Sequence, residues 1–287
     1  MEPADKAATS NRLVLLTWNI DATSSRPQER VTEIIKFITG LEPKVDIVFL
    51  QEVSRPALQQ ILSDDRIRES WLLSERDDTA WGKQSFATIT LMSKARFALD
   101  PVSRIGNAIL GPIWRVKYPS HFERDALCCD IFVPSFQTPG PSSPTRIRLV
   151  NVHLDSLPIK PSHRPQQISV VSSFLRVAGH GLVAGDFNPV LDEDANLLER
   201  KGLTDIWESL RSQDTGYTWG EDGEQPFPPN RLDKVAILGL TPFSIEILKP
   251  RRLGDLDESK LQWAGHGEDV PWSDHHALLC SFGPPVL

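Results

Sequence analysis

Residues 181–188 read Gly-Leu-Val-Ala-Gly-Asp-Phe-Asn. A short apolar run that stops on an acid and an amide predicts a buried strand whose end opens on a polar site. The pattern recurs along the chain. Thr17-Trp18-Asn19, Gln51-Glu52, Asn151-Val152-His153 and Ser273-Asp274-His275 also stand at the ends of strand-like apolar runs. Five such clusters from distant stretches constrain the fold strongly: many strands must be arranged so that their ends converge. Clusters rich in acid, amide and imidazole predict one metal-dependent, phosphoester-cleaving site.

The stretches between the clusters fit a strand-rich α/β chain. Strands are expected over 12–19, 45–50, 70–73, 85–92, 126–133, 146–152, 181–184, 231–238, 243–248 and 277–281. Helical spacing appears over 27–37, where Val31, Ile34, Ile35 and Ile38 recur on one side, and over 166–177, with Ile168, Val171, Phe174 and Leu175. Shorter helices are expected over 55–62, 192–198 and 205–210, the first with Pro56 in its tolerated opening turn. Residues 134–145 read as the exposed tip of a hairpin, and 250–272 as a long charged loop. A loose tail over 1–10 precedes a single domain over 11–287. Short turns between many strands favour antiparallel pairing, which predicts a two-sheet core covered by helices on both sides.

Charge excludes some functions. The formal net charge is −7, whereas a protein gripping long duplex nucleic acid by its phosphates is normally basic. Holding a nucleic-acid end through a local patch is still compatible with that charge. Cys128, Cys129 and Cys280 have no C-x-x-C spacing, so buried reduced thiols in a reducing compartment are expected. The polar opening residues lack the apolar core of a secretory signal, and no apolar run approaches the roughly 20 residues a membrane span requires. A nuclear or cytoplasmic, non-secreted monomer is therefore the expectation. Lys249-Pro250-Arg251-Arg252 reads as a basic turn after a strand rather than as a nuclear address. The chain has neither a P-loop nor a Ser-centred elbow.

Each cluster suits phosphoryl transfer. Glu52, at a strand end beside Asn19, is a candidate ligand for a hard cation; Mg²⁺ needs only one or two protein carboxylates because it keeps several waters. Asp186 and Asn188 stand two apart, so both can point the same way, one to orient a water and the other to fix a phosphate oxygen. The same pair also suits an Asx turn, and the tetrapeptide alone does not separate the two. His275 is a candidate for charge stabilisation or general acid, with Asp233 as the carboxylate that orients it. His153 is a candidate phosphate ligand, with Ser156 nearby. His276 is expected to point away and be structural.

In order, TWN (17–19), QE (51–52), NVHLDS (151–156), GDFN (185–188), RLDK (231–234) and SDH (273–275) resemble the endonuclease/exonuclease/phosphatase superfamily. The resemblance spans about residues 12–282 and implies a DNase I-like four-layer α/β sandwich with a divalent metal, Mg²⁺ with Mn²⁺ as alternative. Within the superfamily the chain is most similar to the tyrosyl-DNA phosphodiesterases that act on 5′ ends. Ile20-Asp21 after TWN, the Val152–Ser156 segment, Arg164 and Gln167, and Tyr217-Thr218-Trp219 carry that likeness; Phe187 departs from it, since the group often has a smaller residue there.

The resemblance implies that Glu52, Asn19 and Asp274 serve the metal, Asp274 through water. It implies that Asp186 orients the attacking water beside Asn188, and that His275, paired with Asp233, stabilises the pentavalent state. His153 and Ser156 would hold phosphate oxygens, and Trp219 and Arg231 would line the groove for a DNA end bearing tyrosine or peptide. The implied activity is hydrolysis of the 5′-phosphotyrosyl bond left by a trapped topoisomerase. The alternative is another phosphoesterase of the superfamily, acting on abasic DNA, RNA tails or a phosphoinositide. A non-catalytic scaffold is disfavoured because every polar site residue is present.

Overall fold

Every residue of the first strand, β1 (Leu13–Asn19), is buried. A strand without a wet face needs cover on both sides, and a computed structural model of the protein, which describes residues 12–99, 108–134, 144–223, 225–254 and 270–285, shows how it is supplied. Leu13 and Leu15 face a second sheet, while Val14, Leu16 and Trp18 face helices. This is the two-fold alternation of strand side chains applied to a central strand.

In the first sheet, β1 pairs in parallel with β2 (Ile47–Ser54) and antiparallel with β13 (Ala277–Gly283). Beyond β13 lies β12 (Thr241–Leu248); beyond β2 lie β4 (Phe86–Ser93) and β3 (Trp71–Leu73). In the second sheet, β8 (Thr145–His153) and β9 (Gly181–Asp186) form the central parallel pair. On one side β9 is flanked by β11 (Asp233–Leu238) and β10 (Thr204–Asp205). On the other side β8 is followed by β7 (Asp125–Val133), β6 (Ala108–Lys117) and β5 (Phe97–Ala98). Apart from a parallel β5–β6 contact, the remaining neighbours run antiparallel.

Leu15, Phe49, Leu149, Leu182, Val235 and Phe282 meet between the sheets. The outer face of the first sheet packs on α1 (Pro27–Gly40), α2 (Arg55–Ser63) and α3 (Asp65–Ser70) through Val31, Ile34, Ile35, Leu58 and Ile67. The outer face of the second packs on α4 (Arg164–Ala178) through Ile168, Val171 and Leu175. A short helix, α5 (Ile206–Arg211), contributes Ile206 and Trp207 to the inter-sheet core. The result is the expected helix–sheet–sheet–helix sandwich of DNase I type. Cys128, Cys129 and Cys280 are buried and free, and burial pushes the Cys128 and Cys280 thiols up to about 12.

Several elements differ from the expectation for physical reasons. The strand expected over 70–73 begins at Trp71, because Asp64 caps a helical turn over the preceding residues. The strand expected from 231 begins at Asp233. Only 3-10 turns form over 192–201 instead of an α-helix. The long strand β6 was not expected, and it contains Gly111-Pro112, a pair that more often breaks a strand. The sheet accommodates the pair by a register shift between Leu110 and Ile113, a bulge that spares Pro112 from ladder pairing. The expected tail over 1–10, the tip 135–143 and most of the loop over 250–272 lie outside the described residues.

The topology brings the clusters to one edge. β1, β2, β8 and β9 end there, and the antiparallel β11 and β13 begin there. Asn19 is level with Gln51, and Asp186 is level with both His153 and Asp233. Gln51, and Thr17 and Asn151 two residues before Asn19 and His153, make the neighbouring inward positions polar as well. Gln51 Nε2 donates to Thr17 Oγ1 at 3.1 Å and, across to the other sheet, to Asn151 Oδ1 at 2.8 Å. The Asn151 amide donates in turn to Ile89 O at 2.8 Å. This buried layer forms the floor of the site and ties the two sheets together, and within it only the Gln51 Oε1 atom has no partner.

Candidate active site

Two backbone devices set the carboxylates. The β2–β4 ladder shifts register between Leu50 and Val53, and Glu52 at that bulge sits at φ 55°. A bulge re-aims the side chain at a strand end, and a glutamate held in left-handed conformation is strain that persists only where packing imposes it. At Gly185, φ is 139°, and a Cβ would stand 1.9 Å from the Val152 carbonyl oxygen. Only glycine lets β9 approach β8 this closely, which places Asp186 beside His153.

The Gly185–Asn188 segment forms the expected Asx turn and leaves one carboxylate oxygen for the site. Asp186 Oδ1 accepts the Asn188 backbone N–H at 3.0 Å, an Asx turn, while its other oxygen enters the site. There Asp186 Oδ2 accepts from Asn19 Nδ2 at 3.0 Å and lies 3.3 Å from His153 Nε2. Asn19 Nδ2 also lies 3.3 Å from Glu52 Oε1, and Glu52 Oε2 accepts the Ala22 N–H at 2.9 Å. Phe187 faces the other way, into the apolar layer under α4. Burial, then the nearby Asp233 charge, push the Asp186 carboxyl up to about 7 against the pull of His275 and Arg124.

His275 Nδ1 meets Asp233 Oδ2 at 2.8 Å, in a fully buried pair. Burial opposes the imidazolium, but Asp233, Asp186 and Asp274 outweigh it and hold the histidine well above its ordinary value. The segment around it is pinned. Ser273 Oγ donates to Asn19 O at 2.6 Å and accepts the His275 N–H at 3.0 Å, while Trp18 Nε1 donates to His275 O at 2.9 Å. His153 has the opposite character. Burial and the Arg124 charge hold it well below its ordinary value, so it is a neutral imidazole. Its Nε2 is buried and makes no hydrogen bond.

Glu52, Asp186, Asn188, Ser156, Trp219 and His275 line one pocket of about 370 Å³. Asp274 lies behind Trp219, whose Nε1 donates to Asp274 Oδ2 at 3.0 Å. The same pocket is also lined by apolar residues: Leu157, Pro158, Val190, Phe227, Pro228 and Leu232. His276 is turned away, 3.5 Å from Glu221.

One expected role changes, and another gains a partner. Arg231 is not among the residues of this pocket; its guanidinium is engaged by Asp205 and Glu208, each at 2.7 Å, so it braces α5 instead of lining the groove. Asn19 turns its N–H groups to the carboxylates, and its oxygen accepts the Asp21 N–H at 3.0 Å. The amide therefore orients Glu52 and Asp186, and its oxygen, with one lone pair already used, keeps a second for a cation.

Arg124 was missed. Its charge acts on Asp186 and Glu52, its guanidinium lies over Phe86 at 5.8 Å and Phe122 at 5.0 Å, and Nη1 donates to Leu154 O. It precedes a strand instead of ending one, so the strand-end signal could not find it. A second cavity of about 420 Å³ runs from His153 past Phe86 and Arg124. Arg30 was missed too. It is buried and donates to five carbonyl oxygens, among them Ile20 O at 2.8 Å, Asp21 O at 2.6 Å and Trp272 O at 2.7 Å. It thereby ties the segment after Asn19 to the segment before Ser273.

The donor set fits a hard divalent cation. Glu52, Asp186, Asp233 and Asp274 bring four carboxylates to one strand-end edge, and one oxygen of the buried Asp233 has no partner. An oxygen-rich, negatively charged recess is what Mg²⁺ or a similar ion stabilises.

No curated protein matches the chain in sequence. Its fold is shared by the crystal structure of zebrafish TDP2 complexed with single-strand DNA product, at TM-score 0.67 and 19% identity over 95% of this chain and 99% of that one. Truncated Caenorhabditis elegans TDP2 aligns at TM-score 0.64 and 20% identity, covering 95% and 97%. The human Nocturnin catalytic domain with bound sulfate aligns at TM-score 0.60 and 16% identity, covering 95% and 94%. The Endonuclease/Exonuclease/phosphatase family model matches residues 16–275, nearly the whole chain, and the protein therefore belongs to that family.

Proposed function

We propose that the protein is a divalent-metal-dependent phosphodiesterase that hydrolyses the 5′-phosphotyrosyl bond between DNA and a trapped topoisomerase. The observation that carries this reading is the pocket's mixed lining: the polar Glu52, Asp186, Asn188 and His275 together with the apolar Leu157, Pro158, Val190 and Phe227. A phosphodiester flanked by a base on one side and a phenol ring on the other matches such a recess. A fold shared with a TDP2 that was crystallised with single-strand DNA product supports the same substrate class.

The chemistry follows from the groups in place. Asp186, with its pKa near 7, orients the attacking water and accepts its proton. Asn188 and the neutral His153 hold phosphate oxygens, and Ser156 closes the same side. The imidazolium of His275, oriented by Asp233, stabilises the charge that grows on the phosphoryl oxygens. A divalent ion held at Glu52, Mg²⁺ with Mn²⁺ as substitute, would supply further charge neutralisation. Water oxygen bonds to phosphorus as the bond to the tyrosyl oxygen breaks. The phenolate departs without strong acid help because its conjugate acid has a pKa of about 10, and it takes a proton from solvent. The products are a 5′-phosphate and a free tyrosine or peptide. We place this work in the nucleus or cytoplasm, on a monomer.

The test is turnover of thymidine 5′-nitrophenyl phosphate with Mg²⁺ and with EDTA. It is followed by a panel of tyrosyl-ended oligonucleotide, abasic duplex, poly(A) and an inositol phosphate. Mg²⁺-dependent turnover with the tyrosyl end as the fastest substrate is expected. Faster cleavage of poly(A) or of the abasic site would replace this reading with the corresponding one.

A further inference from the structure

Beside the pocket, but turned away from its carboxylates, the structure gathers a second donor set: His121 from the β6–β7 loop, Asp155 from the segment after β8, and His163 at the start of α4. One ligand atom of each lies within 4.8 Å of the other two. We infer that these three residues form a binding site for a zinc-class transition ion, separate from the hard-cation position at Glu52.

Asp155 is buried and held in place. Gln167 Nε2 donates to its Oδ1 at 2.9 Å, Ser120 Oγ donates to the same oxygen, and the His121 backbone N–H donates to Oδ2 at 2.8 Å. His163 Nδ1 stands 3.5 Å from Asp155 Oδ2, yet makes no hydrogen bond although the atom is buried. An imidazole nitrogen that close to a carboxylate would normally close the gap and bond.

A metal accounts for the spacing. Zn–N and Zn–O bonds of about 2.0–2.1 Å at a tetrahedral angle put two donor atoms about 3.4 Å apart. The Asp155–His163 pair therefore already spans one edge of a tetrahedral site. The third donor needs one motion: the His121 ring stacks on the His163 ring at 4.0 Å and 8°. Two parallel rings cannot both aim a lone pair at one ion. His121 is exposed, so turning its ring toward the ion costs little packing.

The donor chemistry selects the ion class. Two imidazoles and one carboxylate suit zinc or cobalt, with a water in the fourth position, whereas Mg²⁺ requires oxygen donors. The consequence for the protein is a staple. The ion would join the loop that borders the Phe86–Arg124 cavity to the segment that carries Ser156 and Leu157. It would thus stiffen two walls of the substrate region while touching no residue of the proposed chemistry. The inference is independent of the substrate proposed above.

The experiment uses the full chain, stripped with EDTA, dialysed, and held in excess Mg²⁺ so that the hard-cation position is saturated. Co²⁺ is titrated in and visible absorption recorded. One equivalent with the intense bands of a tetrahedral site, displaced by Zn²⁺, is expected. His163→Ala and His121→Ala should each weaken Co²⁺ binding at least tenfold, with unchanged thermal midpoints in EDTA. Glu52→Gln should leave the bands intact. Wild-type protein without bands, bands that persist in both histidine variants, or bands lost in Glu52→Gln would each overturn the assignment. Should His163→Ala fail to fold, the exposed His121→Ala decides alone.

Discussion

At the level of single residues, the site is a set of opposed protonation tendencies placed a few ångströms apart. Asp186 is pushed up, His275 is pushed up by its acidic neighbours, and His153 is pushed down. Groups driven apart in this way hold different proton states at one pH, which acid–base chemistry at a phosphate requires. Asp186→Asn removes the proton acceptor and keeps the shape, so kcat should fall about 10²–10⁴-fold. Glu52→Gln should instead raise the Mg²⁺ concentration needed for half-maximal rate by about tenfold or more. Metal titrations of the two variants separate these outcomes. Asp233→Asn tests the histidine. With Asp233 present, His275 keeps its proton well above the ordinary range; without it, burial dominates and the pKa falls. Activity that needs the imidazolium is lost as pH rises through that pKa, so the alkaline limb of the kcat profile should move to lower pH by about 1–3 units. An unmoved limb would show that His275 is not the group that titrates. Asp, Asn and His at strand ends were legible because each stood directly after or before an apolar run. Arg124 and Arg30 were not, since an arginine in a polar segment looks solvated until the fold buries it.

At the level of elements, local sequence fixed most of the pieces, and tertiary context moved their ends. α1 and α4 were plain from their apolar periodicity. β6 was hidden by Gly111-Pro112, because local propensity cannot foresee a bulge that the neighbouring strand makes tolerable. α3 was hidden because it is a single short turn with one buried apolar residue, Ile67. Its existence depends on its cap. Asp64 accepts the Arg66 N–H at 3.0 Å and pairs with the Arg66 guanidinium. Asp64→Ala should cost about 1 kcal/mol in denaturant unfolding at pH 7. The Arg66 hydrogen bond is the largest cause that holds the Asp64 carboxyl below 3.8. A depressed folded-state pKa stabilises above the unfolded value and is lost as pH falls through the folded one. The difference between wild type and variant should therefore be full at neutral pH and shrink below about pH 3.8. A gap that stays constant down to pH 2 would assign the effect to helix propensity instead of the carboxylate.

At the level of the whole molecule, two parallel strand pairs, one in the centre of each sheet, point the same way. That single arrangement brings five scattered motifs to one edge, and the sequence could announce the motifs without showing the arrangement that joins them. The family resemblance supplied it, through the order of the motifs along nearly the whole chain. Global charge bears on how the substrate is held. At −7 the molecule repels a polyanion at long range, so binding must come from short contacts inside the recess. Arg124 and the His275 imidazolium are enough to neutralise about one or two phosphates, with the neutral His153 and Asn188 adding uncharged hydrogen bonds. For a single strand each neutralised phosphate contributes about −0.7 to the slope of log K against log salt. A tyrosyl-ended oligonucleotide should therefore bind with a slope of about −0.7 to −1.4. Lengthening the strand beyond a few nucleotides should leave the slope unchanged, because nothing basic is needed to follow the backbone further. A slope that steepens steadily with strand length would mean that the acidic surface conceals an extended groove, and that end recognition is not what this molecule does.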